Sequence, residues 1–256
     1  MKPKITVVTI TYNAEAVLQR TLDSVMVQSY PYVEHLIVDG ASKDATLTMV
    51  EQYREESMEK AASHEIVVHS ESDNGIYDAM NKGLRWATGD FVVFLNAGDT
   101  LPATYTLELV MDKATDEVGV LYGNTDVVDG EGNFLYHRRL QPPERLTWRS
   151  FRQGMLVCHQ AFYARTEVAR TQPYDLSYRF SADVDWCIRV MKETERRKLT
   201  LVNLHAVVAN YLEEGTTTKN HKASLRERYL VMQRHYGVIQ TFLLHCWFVV
   251  RAVIKR

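Results

Sequence analysis

Four short polar segments carry the residue types that could bind a phosphorylated ligand or move a proton. Residues 96–99 (NAGD) follow the apolar run 91–95 and bring an amide, two small residues and a carboxylate together. Oxygen ligands of this kind suit a divalent cation on phosphate, and small residues let a backbone approach a ligand closely. Two further polar segments, 11–13 and 39–42, also follow apolar runs, and residues 183–185 open a helical pattern.

Alternating strands and helices can bring these segments together. The predicted strands are residues 5–10, 35–38, 66–69 and 91–95. The predicted helices between them run from 17 to 26, from 42–44 to about 60, and from 76 to 87. Such alternation predicts an α/β fold with a doubly wound, mostly parallel sheet, whose ligands bind outside the carboxyl ends of the strands. We therefore expect the segments 11–13, 39–42 and 96–99 to gather along that edge.

The alternation weakens after residue 101 and predicts a smaller mixed sheet with C-terminal helices. The expected elements are a helix to about 114, strands at 118–128, 134–137 and 158–165, a helix at 184–194, and one or two strands within 199–211. A chain of 256 residues is long enough for one large domain or two small ones. We expect one domain over 1–221, with halves 1–101 and 102–221, followed by a helical segment, 222–256.

Composition argues against several classes of function. A formal net charge of −2 gives no reason to expect nucleic acid as a partner. Three cysteines without C-x-x-C spacing indicate neither a disulfide framework nor a structural zinc site, and they fit a reducing compartment. The first strand begins without a preceding signal-peptide core, so we expect a cytoplasmic location.

Six motifs in a fixed order make the sequence similar to a known family. They are TYN at 11–13, VDGAS at 38–42, DNGIYDAMNKG at 73–83, ATGD at 87–90, FLNAGD at 94–99 and ADVDW at 182–186. Together they resemble family 2 of the inverting nucleotide-sugar glycosyltransferases, which have the GT-A (Rossmann-like) fold. The likeness is dense over 4–101 and thinner to about 221, and it is greatest to the branch associated with bacterial O-antigen and capsule assembly.

This resemblance implies a pocket for a nucleotide-sugar donor, with uridine diphosphate as the expected nucleotide. Tyr12 would stack on the nucleobase, with Thr9 and Thr11 beside it. Asp39 would accept a hydrogen bond from the ring N–H of the base. Thymidine nucleotides present the same N–H and are the close alternative. The residues expected on the ribose and sugar side are Asp73 and Asn81.

The resemblance also implies a divalent cation, Mg²⁺ or Mn²⁺, that bridges the donor diphosphate. Asp99 would ligate this ion, and oxygen ligands match its chemistry. Asn96 stands where the family usually has Asp, which removes a charge but keeps an oxygen. His221 follows the loop 213–221 and could complete the metal shell or close over the diphosphate; a solvated loop histidine is the alternative.

The same resemblance makes Asp183 the general base that deprotonates the acceptor hydroxyl. The family's usual Glu before this residue is Ala182 here, so Asp185 is a rival, and either carboxylate could simply favour a helix N-terminus. The residues expected on the acceptor side are His159, Gln160 and Trp186.

The segment 238–254 (VIQTFLLHCWFVVRAVI) predicts an amphipathic helix. Its polar members Gln240, Thr241, His245 and Arg251 fall within an arc of about 140° on a helical wheel. A wide apolar face with flanking basic residues is typical of a helix that lies in a membrane interface. The alternative is a terminal helix that packs its apolar face on the domain or on a second subunit.

These expectations combine into one function with two rivals. We expect sugar transfer from a nucleotide diphosphate to a lipid-linked saccharide in surface polysaccharide synthesis, at the inner face of the cytoplasmic membrane. The first rival is a non-catalytic nucleotide-sugar-binding or scaffold subunit, which Asn96 and Ala182 would fit. The second, a nucleotidyltransferase or methyltransferase, would require a glycine-rich turn after the first strand, where this chain has TYNA.

Overall fold

An eight-stranded sheet forms the centre of the structure, a computed structural model that describes residues 2–59, 64–213 and 221–254. The strands are β1 Ile5–Thr11, β2 Val33–Asp39, β3 Glu65–Ser70, β4 Phe91–Phe94, β5 Val118–Val128, β6 Phe134–His137, β7 Phe162–Arg165 and β8 Thr200–Leu212. Their spatial order is β3-β2-β1-β4-β7-β5-β6, and β8 pairs with β5.

Strand direction divides this sheet into two parts. The pairs β3–β2, β2–β1 and β1–β4 are parallel, as the strand–helix alternation predicted. Beyond β4 the pairs β4–β7, β7–β5 and β5–β6 are antiparallel. Strand β8 runs parallel to β5. The mixed part is therefore continuous with the parallel part and does not form a separate smaller sheet.

Helices cover the sheet on both faces. They are α1 Leu18–Met26, α2 Thr46–Met58, α3 Ile76–Trp86, α4 Thr106–Met111, α5 Thr166–Arg170, α6 Ala182–Arg196, α7 His221–Tyr236 and α8 Val238–Ile254. All residues of β1, β2 and β4 are buried, which explains why these strands are rich in apolar and β-branched residues. The polar residues at their carboxyl ends stand out against that background.

The predicted strand over residues 158–165 was wrong in its first half. His159–Ala161 is a short 3₁₀ helix, closed by a hydrogen bond from Ala161 N to Cys158 O, and β7 begins only at Phe162. Consecutive side chains of a strand point to opposite faces of a sheet. His159 and Gln160 instead both reach the turn at residues 96–99, which a strand would not allow.

Helix α7 packs onto the half formed by residues 102–221, although it lies beyond the predicted domain boundary at residue 221. Glu227 accepts hydrogen bonds from the backbone N–H groups that precede α6, including those of Phe180 and Ser181. His235 contacts Asp185 of α6 at 2.7 Å. These contacts make α7 part of the support for the first turn of α6.

Candidate active site

The carboxyl ends of β1, β2 and β4 form the expected polar edge. Thr11, the last residue of β1, is paired with Asp39, the last residue of β2, and its Oγ1 donates a hydrogen bond to Asp39 Oδ1 at 3.0 Å. The turn after β4 is anchored beside them, because Gly98 N donates to Thr21 Oγ1 of α1. Parallel register therefore assembles residues that lie up to 87 positions apart in the sequence.

Tyr12 and Asp73 flank a narrow space over Gly40. The Tyr12 ring is 66% exposed at the sheet edge. A Cβ atom added at Gly40 would lie 2.6 Å from Asp73 Oδ2 and 3.2 Å from Tyr12 Cδ2. Asp73 is held in place by a hydrogen bond from Gly75 N to its Oδ1. An exposed ring, an adjacent carboxylate and a bare backbone between them are suited to a stacked base and a ribose hydroxyl.

Asp39 is fully buried and already accepts four hydrogen bonds. Its donors are Thr11 Oγ1, the backbone N and Oγ of Ser42, and Ser70 Oγ. A carboxylate has about four lone-pair positions, so these donors occupy all of them. The carboxylate thus ties β1, β2 and β3 together at the edge. The predicted hydrogen bond from a base N–H stays a prediction, and it would have to replace one of the hydroxyl donors.

The structure corrects three predicted site residues, which lie in the core. Thr9 is fully buried, with Oγ1 2.9 Å from His35 Nε2, because it stands one full pleat below the sheet edge. Asn81 has both ends of its amide bonded to the backbone of Tyr174. Trp186 is fully buried and stacks on Tyr174, with ring centroids 4.9 Å apart. None of the three is placed to contact a donor or an acceptor.

The His159–Gln160 turn joins the two halves of the site. Gln160 Nε2 donates to Asp99 Oδ2 at 2.8 Å. His159 Nε2 lies 3.2 Å from Asn96 Nδ2, and its Nδ1 lies 3.4 Å from Asp183 Oδ2. If the amide of Asn96 donates to Nε2, the neutral imidazole carries its proton on Nδ1, facing Asp183. The sequence predicted both residues near the acceptor but not this bridge.

Asp99 is a buried carboxylate whose charge is poorly compensated by its protein neighbours. Burial raises its pKa to about 6, although hydrogen bonds from Gln160 and from Leu212 N act in the opposite direction. Nearby, Asn96 Oδ1 is buried without a hydrogen-bond partner in the described part of the chain. A carboxylate and an unpaired amide oxygen form a donor set that fits Mg²⁺ or Mn²⁺.

The described residues supply only part of a metal shell. Among residues 2–59, 64–213 and 221–254, no group of three His, Cys, Asp or Glu side chains could hold an ion. Mg²⁺ is commonly bound by one or two protein carboxylates together with substrate phosphates. Asp99 and Asn96 therefore fit an ion that binds together with the donor diphosphate. The side chain of His221, predicted as a ligand, lies outside the described residues.

Asp183 lies in the first turn of α6 and has a side chain that is 18% exposed. Burial acts to raise its pKa, but the hydrogen bond from His159 and the positive charge of Arg228 outweigh it and lower the pKa. Val184 N also donates to Oδ1, and Tyr77 Oη lies 3.4 Å from the same oxygen. The group is thus ionised, oriented and accessible, as a general base must be.

The rival carboxylate of Asp185 has a structural role. It is fully buried, forms an ion pair with Arg189 at 2.6 Å, and lies 2.7 Å from His235 Nε2. Ala182, where the family usually has Glu, is also fully buried, so a long charged side chain would not fit the present packing. The first turn of α6 therefore presents Asp183 alone to the site.

Two residues near Asp183 were not found by sequence reasoning. Tyr77 lies within the motif at 73–83, which supported the family resemblance but predicted no role for this residue. Arg228 of α7 contributes to the low pKa of Asp183, and its Nε is buried without a hydrogen-bond partner among the described residues. It follows the loop at 213–221, and nothing local in the sequence distinguishes it from a surface arginine.

Comparison with known proteins agrees with this geometry. Residues 6–170 match the model of the family described as glycosyl transferase family 2. A PGL/p-HBAD biosynthesis glycosyltransferase of Mycobacterium bovis (strain BCG / Pasteur 1173P2) is 33% identical over 216 residues, 83% of this chain and 78% of the relative.

Two solved structures share the architecture. S. aureus TarS 1–349 in complex with UDP-GlcNAc has a TM-score of 0.68 at 18% identity, over 90% of this chain and 66% of TarS 1–349. Glucosyl-3-phosphoglycerate synthase from Mycobacterium tuberculosis, in complex with Mn²⁺, UDP and glucosyl-3-phosphoglycerate, has a TM-score of 0.60 at 16% identity, over 92% and 81% of the two chains. The chain has the GT-A fold and belongs to glycosyl transferase family 2.

Proposed function

We propose that this glycosyltransferase moves a sugar, with inversion, from a uridine diphosphate donor to a hydroxyl of a lipid-linked saccharide during synthesis of a surface polysaccharide. One observation carries the proposal. Asp183 is ionised and partly exposed, and His159 connects it to the turn that contains Asn96 and Asp99. A single general base close to a diphosphate site is the arrangement that one direct displacement requires.

The protein side chains account for the proton and the geometry of this displacement. As the acceptor oxygen bonds to the anomeric carbon, Asp183 takes the hydroxyl proton. The bond from that carbon to the diphosphate oxygen breaks, and the nucleotide diphosphate leaves with the electron pair. His159 holds the Asp183 carboxylate in place. A divalent ion held by Asp99 and Asn96 would supply positive charge beside the diphosphate.

The donor assignment rests on the space between Tyr12 and Asp73. An exposed aromatic ring provides a stacking face, and the bare backbone of Gly40 lets the nucleoside approach closely. Two proteins of the same fold bind UDP-GlcNAc, or UDP with Mn²⁺, which supports a uridine nucleotide and a divalent metal here. Thymidine diphosphate remains the close alternative because its ring presents the same N–H.

A donor panel tests this proposal. The full chain is incubated with UDP-, dTDP- and GDP-sugars in the presence of Mn²⁺, and release of the nucleotide diphosphate is measured with and without a saccharide acceptor. We expect turnover with a UDP-sugar and a product of inverted anomeric configuration by NMR. Retention of configuration would reject the inverting mechanism. Preference for a guanosine donor would reject the uridine diphosphate donor. Tight donor binding without turnover on any acceptor would indicate a non-catalytic subunit.

A further inference from the structure

In the last helix, α8, Thr241 and His245 face the protein, whereas several large apolar residues face outward. Thr241 is fully buried, and the ring of His245 packs against Tyr229 of α7 with centroids 4.7 Å apart. The outward residues are each at least 57% exposed and are Val238, Ile239, Phe242, Leu243 and Trp247. We call these five the apolar face. A helix that packs on its own domain would show the opposite orientation.

An open groove extends this face at the elbow between α7 and α8. Gly237 makes the elbow with a φ of +84°, and the groove beside it has a volume of about 800 Å³. Tyr236, Leu243 and Leu244 contribute to its lining. On α7, Leu225 and Leu230 are exposed as well. Several exposed apolar side chains beside an open groove are typical of a site of interaction.

The charge of the C-terminal segment favours one kind of partner. Residues 222–256 contain seven Lys or Arg and a single acidic residue, Glu227, whereas the whole chain has a net charge of −2. The Glu227 carboxylate is engaged by backbone N–H groups before α6. An anionic surface would attract this segment, while a second copy of it would bring like charges together.

The apolar face is connected to the active site through α7. Ser181 Oγ donates to Ser224 O at the start of α7, two residues before Asp183. The contact between Tyr229 and His245 shows that α8 folds back along α7 towards this end. Helix α7 therefore links α8 to the residues that precede Asp183.

We infer that the apolar face of α8 docks on an anionic lipid bilayer and holds the active site at the membrane surface. An outward apolar face on a helix with basic residues suits a position in the membrane interface. No helix in the described residues is long and apolar enough to cross a membrane. That the bilayer also carries the acceptor rests on the proposed function. The docking itself does not, because it follows from the orientation and charge of α8.

Vesicle co-sedimentation of the full chain tests this inference. The two compositions are phosphatidylcholine alone and equal parts of phosphatidylcholine and phosphatidylglycerol. We expect binding to the anionic vesicles that weakens as salt is added. Leu243→Glu should reduce partitioning at least about tenfold, because one large apolar side chain contributes more than 1.4 kcal/mol on burial. Phe134→Glu, at an exposed position on β6, is the matched control and should bind like the unchanged chain.

Three further readouts separate the possible outcomes. Donor hydrolysis without lipid should be equal in Leu243→Glu and the unchanged chain, so a failure of the proposed function would show independently. Equal vesicle binding by Leu243→Glu and the unchanged chain, with circular dichroism showing both to be folded, would overturn the inference. A dimer in sedimentation velocity that Leu243→Glu dissociates, without lipid binding by the unchanged chain, would assign the face to a second copy and also overturn it.

Discussion

His159 Nδ1 lies 3.4 Å from Asp183 Oδ2, while the opposite ring nitrogen lies 3.2 Å from the amide of Asn96. One imidazole thus connects the carboxylate that would accept the proton with the turn that would face the diphosphate. The contact matters electrostatically, because His159 provides the largest of the effects that lower the pKa of Asp183 against its burial. The reactivity of Asp183 should therefore depend on this ring.

Replacing His159 should move the acid limb of the rate profile to higher pH. In His159→Phe the burial of Asp183 remains, while the hydrogen bond that opposes it is lost, so the pKa of Asp183 rises. A general base works only when deprotonated, and its activity falls as the pH drops through that pKa. The profile of kcat/KM against pH measures this shift. His137→Phe, an exposed position, is the control, and an unmoved acid limb in His159→Phe would show that His159 does not tune the base.

Asp183→Asn and Asp185→Asn should fail in different ways. Asp183→Asn should lower kcat by about 10²–10⁴, with the donor dissociation constant nearly unchanged, because a general base acts only in the transition state. Asp185→Asn breaks a buried ion pair and should lower the free energy of unfolding by about 3 kcal/mol. Rapid kinetics and urea denaturation measure the two effects. If Asp183→Asn were fully active and Asp185→Asn were folded but inactive, the general base would be Asp185, and the assignment to Asp183 would be wrong.

The buried contacts of Asp185 with Arg189 and His235 should also give the fold a defined pH dependence. Burial acts to raise its pKa, but the hydrogen bond from His235 and the charge of Arg189 lower it below the ordinary 3.8. A depressed carboxyl pKa stabilises the fold above the unfolded value, and this contribution is lost on acidification through the folded pKa. In Asp185→Asn the deficit in unfolding free energy should therefore shrink as the pH falls below about 4. A deficit that stays constant from neutral to acid pH would contradict this.

Asp99→Asn should trade activity for stability. Because burial raises the pKa of Asp99 to about 6, the folded state binds a proton more tightly than the unfolded state. Stability therefore falls as the pH rises from 3.8 to about 6, and the charged group costs up to about 3 kcal/mol at pH 7. The neutral side chain introduced by Asp99→Asn avoids this cost, provided that the Gln160 side chain rotates so that its oxygen accepts from the new amide. Asp99→Asn should therefore unfold at a higher urea concentration than the unchanged chain at pH 7, but not at pH 4.

The metal hypothesis makes a matching prediction for Asp99. Mn²⁺ with uridine diphosphate should raise the melting temperature of the unchanged chain but not of Asp99→Asn, because ligation removes the cost of the buried charge. Excess chelator should abolish transfer by the unchanged chain. Full activity in chelator would reject the metal assignment. Asn96→Asp should retain activity, since it restores the more common carboxylate at that position.

The sequence predicted the parts of the site that depend on local pattern. Apolar runs located β1, β2 and β4, and parallel pairing then required Thr11 and Asp39 to meet. It could not predict contacts that form only in the folded chain. Asn81 binds Tyr174, 93 residues away, and no local signal separates that amide from one that faces a sugar. Likewise, a helical wheel defines the two faces of α8 but not which one faces the protein.

Gly40→Ala tests the donor pocket with a single methyl group. That methyl would lie 2.6 Å from Asp73 Oδ2 and 3.2 Å from Tyr12 Cδ2, so one of the two side chains must move. We expect donor affinity measured by calorimetry to fall about tenfold or more, because the space between ring and carboxylate closes. Gly130→Ala is the matched control, since no atom lies within 4 Å of its added Cβ. Tyr12→Phe should keep the affinity through its ring, and Tyr12→Ala should lose it. Unchanged binding by Gly40→Ala and Tyr12→Ala would move the nucleobase away from this edge.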